Sequence, residues 1–76
     1  MDRLDRITLD PLVMGGKPCI RGMRITVGTI VGLFAQGRTA EDILCAYPYL
    51  EQDDLSQALA YAAWRAEEMD VPLEHA

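Results

Sequence analysis

The side chains of this chain with the most evident chemistry are cationic, and they are unevenly spread. Residues 1–38 hold Arg3, Arg6, Lys17, Arg21, Arg24 and Arg38 against three acids, whereas residues 39–76 hold Arg65 alone against nine. Such a two-ended charge suits a molecule whose front meets a polyanion or an acidic partner; acidic helices that merely solvate themselves give the same count. The cations Lys17, Arg21, Arg24 and Arg38 are therefore candidate anion or DNA contacts. They would act mainly on phosphates, with affinity that falls steeply with salt.

Catalytic groups are scarce. Cys19 lies between Lys17 and Arg21, which favours its thiolate, but no base stands near it in sequence, and the lone His75 is in the tail. Cys19, Cys45 and His75 lack the paired spacing of structural zinc sites. Gly15-Gly16-Lys17 has a lysine but no following Ser or Thr, and Pro18 removes the next amide, so it reads as a turn and not a phosphate loop. No enzyme activity, metal or cofactor is expected.

The elements that must position the cations follow from local pattern. Over 76 residues with a net charge of −5 and half the residues hydrophobic, one domain is expected. A core this small is marginal, which favours self-association as a homodimer or higher oligomer. No apolar run reaches the roughly 18 residues that span a bilayer, the start lacks a signal-peptide profile, and two cysteines make no disulfide scaffold. A cytoplasmic protein without a membrane role is the expectation.

Residues 1–27 read as short strands and a hairpin, 27–70 as three helices, and 71–76 as a tail. Arg6 to Asp10 alternates like a strand until Asp10-Pro11. Cys19 to Val27 reads as a hairpin turning at Gly22-Met23, with Ile20 opposite Ile25 and Arg21 opposite Arg24. The first helix is expected from Val27 to Gln36, capped by Thr26, with Val27, Ile30, Val31 and Phe34 as its buried stripe. Gly28 and Gly32 predict a face that accepts something packed very close. Thr39-Ala40-Glu41-Asp42 opens a second helix, lined by Ile43, Leu44 and Tyr47, that ends at Pro48.

The third helix is expected from about Asp53 to Met69, with a core stripe of Leu55, Ala58, Leu59, Ala62, Ala66 and Met69. Its other face carries Gln57, Tyr61, Trp64 and Glu68; Tyr61, Trp64 and Arg65 are the candidate partner or dimer residues. The predicted fold class is therefore mainly α with a small β-hairpin: a trihelical, winged helix-turn-helix-like domain, expected to dimerise. In that fold the third helix reads the major groove through its N-terminal end. Here Glu51, Asp53 and Asp54 oppose phosphate contact and leave only Gln52, Ser56 and Gln57 as neutral base readers. The same acids have an adequate structural role at a helix N-terminus.

Ile7-Thr8-Leu9-Asp10-Pro11, Gly15-Gly16-Lys17-Pro18-Cys19-Ile20-Arg21-Gly22, Arg24-Ile25-Thr26-Val27, Glu41-Asp42-Ile43-Leu44, Tyr47-Pro48 and Ala58-Leu59-Ala60-Tyr61-Ala62 together resemble the domain of unknown function family 433. The resemblance covers about residues 5–66. It implies a non-enzymatic, helix-turn-helix antitoxin of VapB type that neutralises a PIN-like ribonuclease toxin encoded nearby and represses its own operon by DNA binding. Glu51 and Met23 stand where such proteins often carry Thr. A PIN-like active site is an acidic metal pocket that Arg21, Arg24 or Arg65 could enter; alternatively, the acidic half could imitate RNA. The first route predicts that Arg21→Ala or Arg24→Ala abolishes inhibition. The rival reading is a protein-interaction module that binds no nucleic acid.

Overall fold

The computed structural model describes residues 4–68. Two short strands, β1 (Ile7–Thr8) and β2 (Cys19–Ile20), precede α1 (Val27–Ala35), α2 (Ala40–Ala46) and α3 (Gln52–Glu68). The fold is the expected three-helix domain with a small antiparallel ribbon. The sequence readings at Met69, His75 and the 71–76 tail lie outside the described residues.

Local pattern accounts for the helices. Thr26 caps α1 by accepting from the Thr29 N–H, and Val27 and Ile30 are buried while Val31 and Phe34 pack at the core edge. Gly37, at φ +89°, supplies the left-handed residue after α1. In α2, the Thr39 side chain accepts from Asp42 N–H and the Asp42 side chain accepts from Thr39 N–H, a complete capping box. Ile43 from this helix is fully buried. The core joins Ile20, Ile25, Val27, Ile30, Ile43, Leu50, Leu55 and Ala58, and α1 against α3 is its main helix packing.

The ribbon differs from the expected hairpin. β2 pairs with β1, Ile7 opposite Ile20 and Thr8 opposite Cys19, while the segment after the turn contributes a single bridge, Cys19 to Thr26. The turn also moves: Arg21 (φ +47°) and Gly22 (φ +72°) take the two left-handed positions, with Met23 N–H donating to Ile20 O. Ile20 N–H donates to Ile25 O, so residues 21–24 form a four-residue loop and Arg21 and Arg24 are not cross-strand partners. Both isoleucines are buried, as their pattern requires.

Two helix faces are corrected as well. α3 turns Asp54, Leu55 and Ala58 inward, with Tyr61 and Ala62 at the core margin, so Leu59 is 41% exposed and Ala66 lies in solvent. Burial of the Asp54 carboxylate rotates the buried face away from the purely apolar stripe. A Cβ at Gly32 would meet nothing within 4 Å, and one at Gly28 would meet only Thr26 Oγ1 at 3.8 Å. The chain itself therefore packs nothing closely on that face.

Candidate functional site

The charged residues that look like surface features in the sequence form an internal node. Asp54 is the third residue of α3 and its side chain accepts the Glu51 N–H at 2.8 Å, one arm of a helix cap. That geometry turns the carboxylate back toward the ribbon, where its side chain is fully buried. Arg21 donates from Nε to Asp54 Oδ1 (3.1 Å) and from Nη2 to Oδ2 (2.8 Å), a two-point clamp, and Nη2 also donates to Tyr49 O (2.8 Å). Arg6 Nη1 donates to Asp54 Oδ1 (2.9 Å) and to Glu51 Oε1 (2.6 Å), and Arg6 Nη2 lies 3.7 Å from Asp53 Oδ2. Beside them, Gln57 Oε1 accepts the Arg6 backbone N–H while its Nε2 donates to Asp5.

The left-handed turn explains how Arg21 gets there. With φ +47° at Arg21, the chain reverses while that side chain reaches across to α3. The node thus ties the N-terminal ribbon to the third helix through charge. Arg21, expected to meet an external anion, and Gln57, expected to read a base, are instead engaged within the fold. Gln52 and Ser56 are exposed beside this acid-rich helix end. Reading a base with Gln57 would require breaking its hydrogen bonds to the Arg6 backbone and Asp5.

Burial alone would push the Asp54 carboxyl up; donation from Arg21, then Arg6, then the Glu51 N–H outweighs it and holds the group below its ordinary value. A folded-state value lowered in this way stabilises the fold above the unfolded carboxylate value of about 3.9, and that stability is lost as pH falls through the folded value. Thermal melts followed by circular dichroism are expected to be level from neutral pH to about pH 5 and to decline below about pH 4. Asp54→Asn should melt lower at neutral pH and converge on the parent in acid. Parallel curves at all pH values would contradict this.

Four of the described cations remain outside the node. Among the described residues, Lys17, Arg24, Arg38 and Arg65 take part in no ion pair. Lys17 and Arg38 are exposed on separate connections. Arg24 lines a cavity of about 230 Å³ at the ribbon tip with Met23, Ile25 and Tyr49. Tyr49 is 53% exposed, and its ring meets Tyr47 edge-on at 6.1 Å. Arg65 flanks an open groove of about 460 Å³ between α1 and α3, walled by Val27, Val31, Tyr61, Ala62 and Ala66. Tyr61 and Trp64 pack at 5.8 Å between ring centres, and Tyr61 reaches the core edge. The expected partner residues thus adjoin a real concavity.

The sequence reading missed the buried Asp54 and the Tyr49 wall. The first had a local signal, since an acid three residues after an N-cap position commonly reaches back to it. The second arises only when the 21–24 loop and the turn after α2 meet.

A family model described as a protein of unknown function (DUF433) matches residues 7–62. The chain belongs to the DUF433 family. A crystallised DUF433 member from Anabaena variabilis superposes with a TM-score of 0.77 at 38% identity, over 86% of this chain and 64% of that one. The uncharacterized protein y4eO of Sinorhizobium fredii is 34% identical over 56 residues, 74% of this chain and 25% of its own length. This chain therefore spans about a quarter of that curated relative. The family match includes Arg21, Asp54 and the tip residues, and ends at Ala62, just before Arg65. Among the described residues of this DUF433 domain, no helix is long and apolar enough to cross a membrane.

Proposed function

We propose that this domain is a non-enzymatic, antitoxin-like binding protein that neutralises a PIN-like ribonuclease by direct contact, with Arg24 as the inserted cation. The observation that supports this reading is the tip cavity. It places one guanidinium, paired with no described carboxylate, beside the half-exposed Tyr49 ring and the Met23 and Ile25 walls. A cation with an apolar collar suits an acidic pocket, because the collar excludes water around the charge pair once it forms. Arg21 is ill suited to that role, since withdrawing it would leave buried Asp54 with Arg6 as its one cation beside the Glu51 N–H.

The reading is tested with the product of the adjacent reading frame. That protein is purified, and its cleavage of single-stranded RNA is measured with and without this chain. Stoichiometric suppression is expected, and undiminished cleavage with no complex on gel filtration would refute the proposal.

Autorepression through DNA binding is the second reading, favoured by exposed Lys17, Arg24 and Arg38. These would make phosphate contacts, so promoter affinity would fall steeply with salt, whereas a flat response would leave a protein-interaction module.

A further inference from the structure

The connection between β1 and β2 carries a feature that the fold does not explain. Leu9 is 63% exposed and Leu12 is 88% exposed, and Met14 is also among the exposed large apolar side chains. Three such residues within six positions form a cluster; isolated exposed apolar residues need no explanation, but a cluster marks a contact surface. The loop that carries them is held in shape. Asp10 Oδ1 accepts Leu12 N–H at 2.9 Å, Asp10 O accepts Val13 N–H at 2.9 Å, and Val13 O accepts Gly16 N–H at 3.0 Å. A preformed loop loses little conformational freedom when its leucines are covered.

The groove between α1 and α3 offers the matching concavity, and Pro18, four residues beyond Met14, lines its edge. Gly28 also lines it, where a Cβ would meet only Thr26 Oγ1 at 3.8 Å. The charges match too: Asp10 sits among the loop leucines, and Arg65, without an ion-pair partner among the described residues, flanks the groove. Knob and groove belong to one molecule and are joined in sequence through Pro18, so two copies related by a twofold axis can each insert a loop into the other and close the assembly.

We infer that this groove is the seat for the Leu9–Met14 loop of a second copy of the chain, giving a reciprocal dimer with Asp10 of each protomer against Arg65 of the other. The inference is independent of nuclease contact at Arg24, which lies at the ribbon tip.

Sedimentation equilibrium of the full chain tests it. The parent is expected to be a dimer, and Leu12→Asp to raise the dimer dissociation constant at least about 30-fold, the loss typical of an interface hot spot. Leu12 is almost wholly exposed, so circular dichroism should show this variant folded as the parent is. Arg65→Asp should weaken the dimer, and combining it with Asp10→Arg in the same chain should restore it in part. A parent that stays monomeric at sub-millimolar concentration overturns the inference, as does a dimer indifferent to both Leu12→Asp and Arg65→Asp.

Discussion

Asp54→Ala is expected to destabilise the domain by about 2–3 kcal/mol, a large share of the total stability of a chain this size. The substitution removes four acceptor contacts at once: two from Arg21, one from Arg6 and one from the Glu51 N–H. Removing one member of a buried pair is costly chiefly because it strands the other charge in a dry site. Here the stranded groups are arginines whose side chains are partly exposed and keep Glu51 and Tyr49 O as acceptors, which holds the loss below the about 3–5 kcal/mol of a fully stranded buried charge. For a domain this small, the shift in melting temperature should be about 8–24 °C. Urea and thermal unfolding measure it, with Asp53→Ala as the comparison. Asp53 is exposed and its contact with Arg6 is long, so less than about 0.5 kcal/mol is expected there. Equal effects from the two substitutions would mean that the node contributes no more than ordinary surface charge.

Under the proposed neutralisation of a PIN-like nuclease, Arg24→Glu is expected to lower inhibition by two or more orders of magnitude while leaving the melting temperature nearly unchanged. A charge pair desolvated at an interface is worth about 2–5 kcal/mol when one partner is truncated, and reversal adds repulsion. Arg24 makes no ion pair within the described fold, so the folded state has little to lose. Arg21→Ala should behave in the opposite sense, lowering stability through Asp54. The pair of substitutions separates a binding cation from a structural one, which the linear pattern of Arg21 and Arg24 cannot do. RNA cleavage titrated with each variant provides the measurement. Full inhibition by Arg24→Glu would remove this residue from the contact.

The helices were largely legible because their determinants are local. Thr26, the Val27–Ile30 stripe, and the Thr39 and Asp42 box lie within a turn or two of what they control. The ribbon was less so. Its strands are two residues long and pair across eleven or more positions, so alternation carries almost no register information. The acids at the start of α3 show the same limit at the site. Glu51, Asp53 and Asp54 look alike as helix N-terminal charges, yet only Asp54 is buried, a difference set by Arg6 and Arg21 arriving from far earlier in the chain. Arg24 and Arg65 were legible as cations; the concavities beside them belong to tertiary structure.

The span of the Asp54 node bears on how the protein is made. Arg6 precedes Asp54 by 48 residues and Arg21 precedes it by 33, so during vectorial synthesis both guanidinium groups leave the ribosome well before the carboxylate that receives them. α1 and α2 can form from near neighbours in that interval, whereas long-range pairings wait on loop closure. Docking of the N-terminal segment therefore waits until α3 has emerged, and a transcript cut short before α3 would yield a peptide whose ribbon has no Asp54 to land on.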